Sequence, residues 1–394
     1  MKKFIYLCGM MLLSLNMMAQ IDLNDRNWDW NHAFQDEFVT SRSWDTIDWY
    51  SVPDSVWRGF PGQHVTHGNE TQIYQYDHCI FDTENGWMRL VSEYDYDSLI
   101  PHHLYHLPRV AHSEFPNEFN KYDTLYYFSG EIDVISRKFR YGYFEIRCKL
   151  PQHKGTFPAF WLHSSNKNSP DRYYEEIDIF EHSRNLMHSY SGNPSIPPIQ
   201  DTARVFTTGL YQNLTGLYPD STESFARNYP LVPKISNNLS DWHTFSCEWM
   251  PDHVLWYLDG NLVNSFFDKN HIPCHEMTLK TNYAIDRFSV DHNTGQPLWF
   301  GSDEMVIDYI LVYQLLWNCN TEETITSQTD LDTFNYAVKK SISITSTAGQ
   351  PIVDSGDKVT FRVTDTFEVT GPFQINNGAE FTVIVQECPN NPNN

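Results

Sequence analysis

Short runs in which apolar and polar residues alternate recur along this chain, separated by clusters of Asn, Asp, Gly and Pro. Alternation at period two sends one set of side chains to a buried face and the other to solvent, and stretches with helical periodicity are few. The pattern therefore predicts an all-β protein built as an antiparallel sandwich. Residues 28–315 are expected to form that domain, and their number predicts long loops. Two polar stretches are expected as those loops. One is 97–128, with His102, His103, His106 and His112; the other is 184–240, rich in Pro, Asn, Ser and Tyr. Loops at the end of a sandwich are natural walls for a cleft. The histidines lack a metal-binding spacing such as His-Glu-x-x-His and are expected to be solvated or to touch a ligand.

After Tyr313 the texture changes. Residues 314–340 read as a polar connector, and then Phe361-x-Val363, Phe367-x-Val369 and Phe373-x-Ile375 follow at a spacing of six, with Phe381-x-Val383 shifted by two. Each triplet places two apolar side chains on one face of a short strand, which predicts stacked short coils, with a plain antiparallel module as the alternative. Residues 316–394 are thus expected to be a connector and a small C-terminal β-module that serves attachment, secretion or stability.

At the other end, Met1-Lys2-Lys3 precedes the apolar run Phe4 to Leu15 and then Met17-Met18-Ala19. This is the make-up of a signal peptide over residues 1–19, cut near Ala19. Cys8 raises lipoprotein processing as an alternative, although it lies inside the apolar run. No other stretch approaches the roughly 18 consecutive apolar residues of a membrane helix, so the mature chain is expected to be exported without a membrane span. An exported location permits disulfides. Cys319 and Cys388 flank the C-terminal module and are placed to staple it, whereas Cys148 and Cys247 sit in core-strand patterns and suit buried thiols. Pairing among Cys79, Cys148, Cys247 and Cys274 cannot be read from sequence.

The chain carries 27 Lys and Arg against 50 Asp and Glu, for a formal charge of −23. That balance argues against nucleic acid as a partner and weighs against a heavily sulfated polymer. Aromatic residues make up 15% of the sequence; many belong to the core, and flat rings with polar edges also suit sugar faces.

The densest chemistry lies in Glu176-Ile177-Asp178-Ile179-Phe180-Glu181. On a strand Glu176 and Asp178 share a face and Ile177 and Ile179 point to a core, but Glu181 has the wrong parity unless an extra residue near Ile179-Phe180 forms a β-bulge. With the bulge, three acids stand in a row. A retaining glycosidase needs such a group: a nucleophilic carboxylate, a protonated acid/base roughly 5 Å away, and a charge that separates their pKa values. A straight strand would hold the Cα atoms of the two glutamates about 13 Å apart, so the sheet must also curve.

This spacing resembles the bulged Glu-x-Asp-x-x-Glu signature of glycoside hydrolase family 16. Asp36-Glu37-Phe38, the segment Tyr141 to Pro151, and Phe157-Pro158-Ala159-Phe160-Trp161-Leu162 are similar to its early and central strands. So are Trp242 to Trp249, Val254 to Gly260 and Met305 to Tyr313. The resemblance implies a concanavalin-like jelly roll and a monomer that cleaves a β-linked polysaccharide, β-1,3- or β-1,3-1,4-glucan first and red-algal galactan second. A non-catalytic carbohydrate-binding protein is the contrasting class. By carry-over Glu176 is the nucleophile, Glu181 the acid/base and Asp178 the residue that tunes them. Trp161, His182, Tyr174 and Arg147 are the expected substrate contacts. No cofactor is required for catalysis; the resemblance also implies a structural calcium ion, with Glu37 and Asp308 as its ligands. Glu131-Ile132-Asp133-Val134-Ile135-Ser136 begins like the signature but ends in Ser, so Glu131 is expected to be structural or peripheral. Glu175 stands where glucan-cleaving members usually have Gly, and no Trp precedes it between Asn166 and Tyr174.

Overall fold

The structure is a computed structural model, and it describes residues 31–36, 49–51, 72–74, 76–94, 127–134, 138–153, 155–166, 173–182, 206–213, 225–231, 238–285, 301–314, 317–334, 337–346 and 349–388. The expected signal peptide, Glu37 and the histidines between 97 and 126 lie outside the described residues.

In chain order the first strands are β1 (Asn31–Asp36), β2 (Trp49–Ser51), β3 (Gln72–Tyr74), β4 (Cys79–Asp82), β5 (Trp87–Tyr94), β6 (Tyr127–Ser129), β7 (Glu131–Val134) and β8 (Gly142–Lys149). Then come β9 (Thr156–Asn166), β10 (Tyr173–Glu181), β11 (Phe206–Asn213), β12 (Phe225–Leu231), β13 (His243–Trp249), β14 (Val254–Leu258), β15 (Asn261–Phe266), β16 (Thr278–Ile285) and β17 (Ser302–Gln314). The C-terminal part holds β18 (Trp317–Ile325), α1 (Gln328–Asp332), β19 (Val338–Ile344), β20 (Ile352–Val353), β21 (Lys358–Val369), β22 (Gln374–Ile375) and β23 (Glu380–Val385).

Two sheets form the sandwich. One runs β15-β14-β13-β8-β17-β5-β6-β3, with β1 on β17 and β4 on β5; the other runs β12-β11-β10-β9-β16-β7-β2. Their inner faces are the apolar half of each alternation. Phe144, Ile146 and Cys148 of β8, with Phe245, Cys247 and Trp249 of β13, meet Phe160 and Leu162 of β9 and Ile177 and Ile179 of β10 in one buried cluster. Each such side chain contributes about 1.5–3 kcal/mol on burial. Gly142 opens β8 at φ 142°, and a Cβ there would stand 2.5 Å from the Tyr313 carbonyl oxygen, so the close pairing of β8 with β17 requires glycine.

The segment 184–240, expected as loop, contributes β11 and β12 to the second sheet. Its buried Phe206, Thr208 and Leu210 carry the strand alternation that the surrounding polar residues obscure.

The C-terminal strands pair in parallel, in the order β18-β19-β21-β23, with β20 beside β22. They form stacked coils as expected, but the coil is longer than six residues: Val359 pairs with Phe381 and Ile342 with Phe367. Phe361 and Val363 are buried, while Val369 and Ile375 are exposed, because both of the first two triplets lie on the single strand β21. The polar stretch 314–340 is not a linker: it supplies β18 and α1, the latter started by a capping box between Ser327 and Asp330. A disulfide joins Cys319 to Cys388 with Cα atoms 6.1 Å apart. Cys79, Cys148 and Cys247 are buried and outside any disulfide.

The module rests on the outer face of the first sheet. Val338 of β19 packs with Tyr143, Leu255, Tyr257 and Met250, and His253 lies beside this contact, its Nε2 3.1 Å from Glu248 and its Nδ1 2.8 Å from Asp252.

Candidate active site

Strand β10 pairs on one side with β9 and on the other with β11, and both registers slip at the same place. Asp178 faces Trp161 and Phe180 faces Phe160 on β9, while Asp178 faces Gly209 and Glu181 faces Thr207 on β11. Between Asp178 and Glu181 the strand therefore holds one residue more than either neighbour, which is the bulge that the sequence demanded. Ile179 and Phe180 are 1% and 0% exposed and both point into the core. Two successive inward residues return Glu181 to the face of Glu176 and Asp178.

Each acid has a distinct setting. Glu176 is partly exposed, and the Tyr174 hydroxyl donates to its Oε2 at 2.5 Å. Asp178 is 2% exposed, and its Oδ2 meets no hydrogen-bond partner among the described residues. Burial first, then the charges of Glu181 and Glu176, raise the Asp178 carboxyl well above the usual carboxylate range. Glu181 is partly exposed. One face thus offers a carboxylate with a phenolic donor, a buried carboxyl of raised pKa and a third carboxyl group beside it.

The face continues across the sheet through cross-strand register. His163 of β9 pairs with Glu176, and its ring lies 4.9 Å from Tyr174 and 5.7 Å from Trp161. Trp161 donates its Nε1–H to Asn282 Oδ1 at 2.8 Å, and Asn282 Nδ2 donates to the Tyr74 hydroxyl at 2.8 Å. Lys280, opposite Trp161 on β16, holds its Nζ 5.5 Å from the indole and forms ion pairs with Glu131 and Asp133 of β7. Burial opposes the Lys280 charge, but Asp133 and Glu131 outweigh it and raise the ammonium pKa.

Of the residues expected to touch substrate, Trp161 and Tyr174 stand on this face. His182 does not: it is fully buried just past the end of β10, with its amide on the Pro158 carbonyl. Arg147 is on the other sheet. Its neighbours Ile146 and Cys148 face the core, so Arg147 points outward, paired with Asp308 and 4.7 Å from the Trp242 ring. Strand parity told inward from outward, but not which sheet. Glu131 proves to share the sheet face of the acids, three strands from β10. His163, Lys280, Asn282 and Asp133 were missed, although Lys280-x-Asn282 and Glu131-x-Asp133 carry the same period-two signal as Glu176-x-Asp178.

Of the two expected calcium ligands, Asp308 lies on β17 and Glu37 is outside the described residues. Such an ion takes about 6–8 oxygen ligands, and Asp308 is engaged by Arg147. Another group, Glu175, Cys274 and His275, brings three donor atoms within 4.8 Å of one another. Glu175 is fully buried, and its Oε2 accepts the amides of Cys274 and His275 at 3.0 and 2.9 Å. Burial and the Glu175 charge push the Cys274 thiol up to about 12. Glu175 is an anchor for the approach to β16.

Residues 119–297 match the model for glycosyl hydrolases family 16. The chain is similar to a β-glucanase of Rhodothermus marinus, 26% identical over 187 residues that cover 44% of this chain and 57% of the relative. It is also similar to the endo-1,3-1,4-β-glycanase EglC of Rhizobium meliloti (strain 1021), 29% identical over 201 residues, 50% of this chain and 35% of that one. It thus spans about half or less of the length of these relatives. A laminarinase catalytic domain from Thermotoga maritima MSB8 superposes with a TM-score of 0.48 at 24% identity, covering 73% of this chain and 98% of that domain.

Proposed function

We propose, from the match of residues 119–297 to the model for glycosyl hydrolases family 16, that the protein is an exported, retaining endo-glycosidase acting on a β-linked polysaccharide, with β-1,3- or mixed β-1,3-1,4-glucan as substrate. The observation that carries this reading is the bulge between Asp178 and Glu181, which sets three acids on one sheet face.

In the first step Glu176 attacks the anomeric carbon as the glycosidic bond breaks, and the departing oxygen takes the proton of Glu181. A covalent glycosyl-enzyme results. In the second step Glu181 removes a proton from water as that water attacks the anomeric carbon and releases Glu176, restoring both groups. Asp178, buried between the two, disfavours ionisation of its neighbours when charged and helps keep Glu181 protonated before the first step. Trp161, flanked by His163 and braced by Asn282 and Lys280, offers a fixed aromatic platform beside the scission point. The apolar N-terminal segment supports export.

Incubation of the mature protein with laminarin, mixed-linkage glucan, agarose and carrageenan, followed by sizing of the products and NMR of the nascent anomer, tests the reading. Short β-configured oligosaccharides from either glucan are expected. Cleavage of a galactan alone would move the substrate to the second class, inversion would remove the double displacement, and binding without cleavage would make the protein a lectin-like module.

A further inference from the structure

The bulge that returns Glu181 to the acid face breaks the ladder register on both sides of β10 at once. A buried carbonyl at such a break needs a donor from elsewhere. The carbonyl oxygen of Asp178, the last residue in register, receives the Nε1–H of Trp256 at 2.9 Å. Trp256 lies on β14 of the opposite sheet and is 1% exposed, so this bond crosses the core from one layer of the sandwich to the other. Glu176 lies in regular register before the break, whereas Glu181 lies beyond it.

We propose that Trp256 is a positioning residue for Glu181: its indole N–H pins the Asp178 carbonyl and thereby holds the extra residue of the bulge where Glu181 faces the substrate. This rests on the assignment of Glu176 and Glu181 to the two halves of the double displacement. Loss of this bond across the core frees the bulge to relax, and a slip of one residue turns Glu181 toward the other face while Glu176 keeps its place. Trp256 touches neither substrate nor the reacting atoms.

The test is Trp256→Phe, with Trp249→Phe as control. Trp249 is 0% exposed and donates its Nε1–H to the Pro273 carbonyl at 2.9 Å, so the control removes the same bond from the same core away from the bulge. W256F should lose about 100-fold in kcat on the polysaccharide that the wild type cleaves. The first-turnover burst of dinitrophenol from an activated aryl glycoside, which needs the nucleophile but not Glu181, should fall less than about 10-fold. W249F should lower both equally. Equal losses on the two substrates in W256F, no loss on the polysaccharide, or a selective loss in W249F would overturn the proposal. Should W256F fail to fold, Trp256→His takes its place. Its Nε2–H falls where the indole N–H lay, so both activities must then change together, and a selective loss on the polysaccharide overturns the assignment. Hydrogen exchange over residues 176–182 separates this inference from the catalytic reading. Exchange should speed up in W256F and not in W249F whether or not any substrate is cleaved; unchanged exchange would sink the inference alone.

Discussion

The Tyr174 hydroxyl donates to Glu176 Oε2 at 2.5 Å, from the position two residues earlier on the same face of β10. A hydrogen bond to the ionised form stabilises it, so Tyr174 is placed to favour the carboxylate form of the proposed nucleophile and to fix its rotamer. Tyr174→Phe should lower kcat about 10-fold and move the acidic limb of the pH-rate profile upward by about one unit, since a charge-assisted bond is worth about 1.5–3 kcal/mol. A profile with an unmoved acidic limb would show that the phenol only packs.

Glu176→Gln should abolish turnover without unfolding, because an amide of equal size cannot attack the anomeric carbon. Glu181→Ala should behave differently: an aryl glycoside with a good leaving group still forms the glycosyl-enzyme, and azide restores turnover by replacing the water that Glu181 would activate. Azide rescue of the Glu176 variant, or its absence in the Glu181 variant, would exchange or cancel the assigned roles.

Asp178 makes a prediction of opposite sign for stability and activity. Its folded-state pKa is raised well above 3.8, so between the two values the folded protein binds more protons than the unfolded chain. Unfolding free energy therefore falls as pH rises through that window, and the carboxyl imposes no such penalty below about 3.8. Asp178→Asn removes the penalty. The variant should melt higher than wild type near pH 7, with the gap closing toward about pH 3, yet lose most of its activity and shift both limbs of the pH-rate profile. A lower melting temperature at neutral pH would mean that the carboxyl stabilises the face.

His253 lies between β13 and β14, paired with Glu248 and Asp252. Burial works against its charge, but the hydrogen bonds and charges of Asp252 and Glu248 prevail and push its pKa up to about 9 from 6.5. Stability from this group is complete below the unfolded value and is lost as pH rises through about 9, with an upper limit of about 3 kcal/mol. Glu248 acts in the other direction: despite burial, His253 and Arg362 lower its pKa, so its contribution fades as acid protonates it. Melting curves should therefore fall between about pH 7 and about pH 9, and His253→Gln should flatten that decline. An unaltered slope would place the pH dependence elsewhere.

Sequence alone determined the class of fold and the face of each acid, because a strand's alternation is local and a Glu-x-Asp-x-x-Glu spacing can put all three on one surface only through a bulge. It also placed Cys319 and Cys388 at the two ends of one module. What it could not determine are the relations between strands distant along the chain, since parity separates inside from outside without saying which sheet. Arg147 proved to be outward on the wrong sheet for the site, and His182 proved to be buried beyond the end of β10. Glu131 and Asp133 reached the acid face through pairing of β7 with β16, where Lys280 meets them. The donor that satisfies the bulge comes from Trp256, 78 residues beyond Asp178 and in the opposite layer. The requirement for a bulge is written in six residues, but its support comes from packing two sheets together, which no local pattern encodes.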